Sequence, residues 1–176
     1  TSQQAQEKVI ELAQIITAYC GKMTMEIVPF THIQEEIRRA CPEEYFTLIM
    51  RRFMMRIAEK IAVDTGCQML ITGENLGQVA SQTAEALVVT DASVSLPVMR
   101  PLIAMDKVDI MAKAEEIGTF ETSIQPYEDC CTVFLPKHPT TKPKLARILE
   151  SESKLDCEAL IDAAIKQQEI VNIIPE

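Results

Sequence analysis

The stretch Cys67-Gln-Met-Leu-Ile-Thr72, running into Gly73-Glu-Asn-Leu-Gly77 and then Gln78-Val-Ala-Ser-Gln-Thr-Ala-Glu85, sets the architecture. Its first six residues are a short run ending at a glycine, the pattern of a buried strand, and Gly77 to Glu85 takes helical spacing. Strand, glycine turn and helix therefore follow one another. Upstream, Glu43 to Asp64 predicts a long helix whose buried stripe is Phe46, Met50, Phe53, Ile57 and Ile61. Met50, Met54 and Met55 read as core filling. Before it, Ala5, Val9, Leu12, Ala13, Ile16 and Tyr19 define a helix over 5–19 that Gly21 stops. Met23 to Phe30 is a strand, and Thr31 to Gln34 forms a capping box for a second helix that Pro42 ends. Downstream, Val94 to Leu102 holds Pro97 and Pro101 and is an edge strand or loop. Asp106 caps a helix through Ile117 that Gly118 terminates. Two helices, near 144–150 and 155–168, close the chain. Alternating strands and helices predict an α/β fold, a Rossmann-like parallel sheet flanked by helices on both faces. Ligands in such sheets sit beyond the carboxyl ends of the strands, which points at Gly73 and its neighbours.

The 176 residues, 47% apolar and 24% charged, suit a packed globular chain of one domain and exclude disorder as the main state. No apolar run approaches the ~20 residues of a membrane span and no basic-then-apolar leader opens the chain, so a cytoplasmic protein with no membrane partner is expected. The net charge of −9 excludes a protein that coats nucleic acid with its whole surface, so any nucleic-acid contact must be local. The six cysteines, Cys20, Cys41, Cys67, Cys130, Cys131 and Cys157, are scattered and read as reduced thiols. With no C-x-x-C and only His32 and His138, no structural metal site is expected.

Several residues break the pattern around them. Arg51 shares a helical line with Leu48, Met55, Ala58 and Ala62, whereas Arg52 and Arg56 share a more polar face. A guanidinium on an apolar ridge needs an anion, which is either a phosphate or a carboxylate such as Glu74. Gly73 and Gly77 permit close backbone approach, and free amides opening the next helix favour a phosphate or a polar base edge; a tight turn explains the same glycines. Lys107 stands in the first helical turn after Asp106, where the helix dipole disfavours a cation by ~0.5 kcal/mol. An anionic ligand, or a pair with Asp106 or Asp109, would offset that. Residues 119–143 hold Pro126, Pro136, Pro139 and Pro143 in a loop long enough to be functional or disordered. There Cys130 and Cys131 are either exposed thiols or a buried apolar pair, and Glu128 and Asp129 work against a thiolate unless a cation such as Lys107 or Lys137 approaches. Lys137, Lys142, Lys144 and Arg147 make a run of cations without an acid, suited to phosphate-backbone contact or to a solvated helix start.

Four ordered blocks carry a resemblance: Ile49-Met-Arg-Arg-Phe-Met-Met-Arg-Ile-Ala58, Thr72-Gly-Glu-Asn-Leu-Gly-Gln-Val-Ala-Ser-Gln-Thr83, Arg100-Pro-Leu-Ile-Ala-Met-Asp-Lys107 and Pro126-Tyr-Glu-Asp-Cys-Cys-Thr-Val-Phe134. The chain resembles the tRNA 4-thiouridine synthases, or tRNA sulfurtransferases, over nearly its whole length. That resemblance implies a PP-loop ATP pyrophosphatase fold of the adenine nucleotide alpha hydrolase-like kind. It implies ATP, with Mg2+, as the activating substrate, tRNA as the acceptor and a cysteine desulfurase as the sulfur donor. ATP adenylates the C4 oxygen of a uridine, and a persulfide sulfur then displaces AMP; the family also feeds sulfur into the thiazole of thiamine. Matched by motif, Arg51, Gly73 and Gln82 are implied ATP contacts, Lys107 an adenylation residue, and Cys130 or Cys131 the sulfur-handling thiol. The family's Ser-Gly-Gly-x-Asp-Ser loop, its THUMP region and the rhodanese extension of some members have no counterpart in these residues. The expectation is accordingly a part of the catalytic domain, inactive alone, with an exposed sheet edge that favours a homodimer. The alternative is a degenerate, non-catalytic module that binds nucleotide, RNA or a desulfurase.

Overall fold

The computed structural model describes residues 3–77, 82–127 and 140–175. It resolves into two compact units, each assembled from separated parts of the chain.

The first unit comprises the described residues within Thr1–Val28, Met105–Val133 and Gln168–Glu176. Helix α1 (Gln3–Cys20) ends at Gly21, whose φ of 75° lies in the left-handed region that favours glycine. Strand β1 (Met23–Ile27) follows and pairs antiparallel with β4 (Glu169–Ile173), from Met23 opposite Ile173 to Ile27 opposite Glu169. Helices α5 (Lys107–Glu116) and α6 (Phe120–Ser123) complete it, with Gly118 turning between them at φ 75°. Ala5, Ala13 and Ile173 are buried, and the Thr122 hydroxyl donates to Glu11 Oε1 at 2.8 Å, tying α6 to α1.

The second unit comprises the described residues within Pro29–Ala104 and Phe134–Gln167. Its axis is α3 (Phe46–Asp64), which a short 3-10 turn at Glu43–Tyr45 precedes. Around it stand α2 (Thr31–Ala40), α4 (Ala84–Asp91), α7 (Leu145–Glu152) and α8 (Cys157–Ile165). Ile49, Met50 and Phe53 of α3 are wholly buried, as are Ile33 and Ile37 of α2, Val89 of α4 and Ile148 of α7. Each such side chain contributes ~1.5–3 kcal/mol on leaving water. Strands β2 (Leu70–Ile71) and β3 (Val98–Met99) pair in parallel, Leu70 beside Val98 and Ile71 beside Met99. Leu70 packs inward with Met55 and Ala62. Ile71, 69% exposed, and Met99 present apolar surface at the other side of the pair.

The α/β class holds, but the described sheets are two pairs rather than one continuous parallel sheet, and one pair is antiparallel. Strand β4 arises where only a helix through residue 168 is expected. The strand over 67–72 shortens to two residues. The helix expected from Gly77 begins at Ala84, where the Thr83 side chain caps it by accepting from the Ala86 amide at 3.1 Å. No capping box forms at Thr31: Phe30 is the N-cap, and buried Gln34 turns to Met50 Sδ at 3.7 Å. Arg52 does not lie on a polar face; it is 1% exposed.

Candidate functional site

Beyond the carboxyl ends of β2 and β3, the second unit gathers a buried ladder of alternating charge. Arg51 projects from α3 and pairs through Nη2 with Glu74 Oε1, so a carboxylate faces this arginine. The other oxygen, Glu74 Oε2, accepts from the Thr72 hydroxyl at 2.9 Å and from Arg100 Nε at 2.6 Å. Arg100 in turn forks onto Asp91 at the end of α4 through Nη1 and Nη2. Two guanidiniums on one carboxylate supply the charge compensation that a group as buried as Glu74 requires.

The loop after Glu74 is closed by its own polar atoms. Asn75 donates its backbone N–H to Gln82 Oε1 at 3.2 Å and its side-chain Nδ2 to the Leu102 carbonyl at 2.6 Å. Leu76 N donates to Ile103 O at 3.1 Å, and Gly77 N to Gln82 O at 3.0 Å. Gly77 needs its glycine, at φ 77°. Gly73 does not: its φ is ordinary, and a Cβ there would meet no atom within 4 Å, leaving open space against the backbone beside Glu74. Arg51, Gly73 and Gln82 thus converge on one loop at the strand ends.

Lys107 belongs to the first unit. It is the first residue of α5, exposed, behind an Asp106 that makes no side-chain cap, and among the described residues it pairs with neither Asp106 nor Asp109. Lys142, Lys144 and Arg147 are exposed around the start of α7 in the second unit, where Arg147 is half-neutralised by Glu150 at 3.1 Å. Cys130, Cys131 and Lys137, with His138, lie outside the described residues.

A second charged cluster sits at the far end of α7, and nothing at sequence level marks it. Glu152 accepts from Arg52 Nε and Nη2, at 3.1 and 3.0 Å, and from both terminal nitrogens of Arg56 at 2.9 and 2.7 Å. Arg52 Nη1 also donates to the Val89 carbonyl at 2.5 Å. Burial pushes the Glu152 carboxyl up, but the hydrogen bonds and charge of Arg52 and Arg56 outweigh it and hold the group below its ordinary range. Beside it, Cys41 Sγ donates to Ser151 O at 3.4 Å. Burial pushes the Cys41 and Cys157 thiols up, which makes them poor nucleophiles.

The chain matches the family described as "Thiamine biosynthesis protein (ThiI)" over residues 1–157. It is 62% identical over 173 residues to a probable tRNA sulfurtransferase of Acetivibrio thermocellus, covering 98% of this chain and 44% of that protein. A probable tRNA sulfurtransferase of Alkaliphilus oremlandii is 58% identical with the same coverage. The structure superimposes with a TM-score of 0.92 on one solved as "a 4-thiouridine synthetase - RNA complex with bound ATP", at 39% identity, covering 98% of this chain and 46% of that one. The chain therefore spans less than half the length of these relatives. With a match over most of its residues and the strand-end loop in place, the chain belongs to the ThiI family.

Proposed function

We propose that the chain is part of the catalytic domain of an ATP-dependent tRNA sulfurtransferase that makes 4-thiouridine. The observation that supports this most is the close structural likeness to a 4-thiouridine synthetase whose structure contains RNA and ATP. In the proposed reaction a uridine C4 oxygen attacks the α-phosphorus of ATP and pyrophosphate leaves. The terminal sulfur of a cysteine persulfide then attacks C4 and the C4–O bond breaks to release AMP; a second thiol attacks the S–S bond of that adduct, releasing 4-thiouridine and leaving a disulfide that an external thiol reduces. Arg51, Gly73 and Gln82 are the proposed nucleotide contacts at the strand ends. Gly73 offers the backbone approach, and Gln82 holds the loop by its bond to Asn75. Lys107 is proposed to stabilise the charge that develops on the α-phosphate, a role suited to a cation with no carboxylate partner among the described residues. Mg2+ would arrive on the phosphates of ATP.

Cys130 or Cys131 is the proposed sulfur-handling thiol, supplied by a cysteine desulfurase, and the basic residues Lys137, Lys142, Lys144 and Arg147 are the proposed tRNA contacts. The family description extends the proposal to sulfur supply for the thiazole of thiamine. The test is thiolation of tRNA by the natural gene product and its Cys130→Ser, Cys131→Ser double variant, with the mass of the endogenous protein measured alongside. Thiolation lost in the double variant supports the reading. Thiolation unchanged removes the sulfur role. An endogenous mass of 19.7 kDa with no pyrophosphate release would favour a non-catalytic nucleotide- or RNA-binding module.

A further inference from the structure

We infer that Glu74 is a positioning residue for Arg51, with Arg100 and Thr72 as the groups that fix Glu74. The inference rests on Arg51 being a nucleotide contact, as proposed above, and adds Glu74, Arg100 and Thr72, to which no role is yet assigned. An arginine at the end of a long flexible side chain must be oriented before its planar fork can meet a phosphate or a polar base edge. Glu74 supplies that orientation asymmetrically. One carboxylate oxygen faces Arg51, while the other is anchored by the Thr72 hydroxyl and by Arg100 Nε, and Arg100 is itself braced by Asp91. Glu74 also directly follows Gly73, where a Cβ would meet no atom within 4 Å.

Arg52 and Glu152 are closed off from solvent, with side-chain exposures of 1% and 5%. Arg56, which also bonds Glu152, is 21% exposed, and the Arg51 side chain is 17% exposed beside a carboxylate at 8%, so both clusters bury the anion and leave one cation partly exposed. A closed pair serves the core. The partly exposed Arg51 side chain can turn toward a second anion while Glu74 keeps its compensation from Arg100.

The experiment is a double-mutant cycle in the natural gene product, reading KM for ATP and kcat in tRNA thiolation for wild type, Arg51→Ala, Glu74→Gln and the double variant. A lost charge-assisted contact raises KM for ATP about tenfold or more in Arg51→Ala and about tenfold in Glu74→Gln, with kcat held within about twofold. Because Glu74 acts through Arg51, the double variant is no worse than Arg51→Ala alone. Additive effects, or a fall in kcat with KM unchanged in Glu74→Gln, would overturn the inference. A raised KM in Arg51→Ala with none in Glu74→Gln would overturn it while leaving the nucleotide role of Arg51 standing. An unchanged KM in Arg51→Ala would remove both. Should Glu74→Gln fail to fold, Thr72→Val deletes one anchor of Glu74 Oε2, and KM for ATP rises about threefold on the wild-type background and not on Arg51→Ala. The absence of that rise would refute the role.

Discussion

Glu152→Gln separates a buried charge cluster from the surface ion pairs around it. The carboxylate lies between Arg52 and Arg56, with Arg52 1% exposed and hydrogen-bonded to nothing else but the Val89 carbonyl among the contacts described above. A glutamine keeps the shape and one acceptor but leaves two guanidiniums without a counter-charge, and removing one partner of a buried pair costs about 3–5 kcal/mol. In a chain of this size each kcal/mol moves the thermal midpoint by roughly 2–4 °C, so the expected fall is roughly 6–20 °C. Calorimetry gives the midpoint, and hydrogen exchange at the amides of α3 and α7 localises the loss. Lys60→Met is the internal comparison. It breaks the pair between Lys60 of α3 and Asp162 of α8, but both side chains are well exposed, and the midpoint should stay where it is. Pairing Arg52→Met with Glu152→Leu should regain most of the stability, since apolar replacements satisfy the core and the partly exposed Arg56 can turn to water. A Glu152→Gln midpoint equal to that of Lys60→Met would show that the cluster is solvated and that the burial reasoning is wrong.

Three further outcomes follow from named groups. The Glu152 carboxyl is depressed in the folded chain, so its stabilisation is complete above the ordinary value of 4.5, fades as pH falls through it, and is gone below the folded value. Wild type should therefore lose its advantage over Glu152→Gln on acid titration, and an advantage persisting undiminished well below pH 4.5 would refute this. Gly118→Ala should cost roughly 1–2 kcal/mol by denaturant unfolding because of backbone strain alone, its new Cβ meeting Ile15 at an ordinary 3.9 Å. Gly73→Ala should leave stability unchanged and weaken ATP binding, so equal unfolding losses for the two variants would contradict the geometry. Alkylation with peptide mapping near pH 8 should label the exposed thiols Cys20 and Cys67 well before Cys41 and Cys157, whose thiols burial pushes up.

What was legible in the sequence was whatever its own neighbourhood decides. The stripe through Met50, Phe53 and Ile57, the glycine stops at Gly21 and Gly118, and the helix after Asp106 all follow from spacing within a few turns. What it hid lies in partners far along the chain. Arg52 shares a stripe with Ile49 and Phe53, and only Glu152, a hundred residues away, makes its burial possible. Strand β4 is a strand because β1 offers it an edge, and its own text, Glu169-Ile-Val-Asn-Ile173, has too few residues to announce a period. At the candidate site, Glu74 stood beside a phosphate among the anions that could answer Arg51, and the structure pairs the two side chains. Arg100, part of a recognisable block, gained a role only when Glu74 and Asp91 were seen on either side of it.

The pairing of β1 with β4 has a consequence for how the chain matures on the ribosome. Residues 23–27 leave the synthetic machinery first and meet their partners only when residues 169–173 have been made. At about 5–20 residues per second, that interval is roughly 7–30 s. Through it β1 presents an unpaired backbone edge to every other nascent strand nearby. The second unit begins within this interval but also needs α7 and α8, which are made shortly before β4. Both units thus complete late and nearly at once, so synthesis halted before residue 169 leaves β1 without its partner and in need of a chaperone.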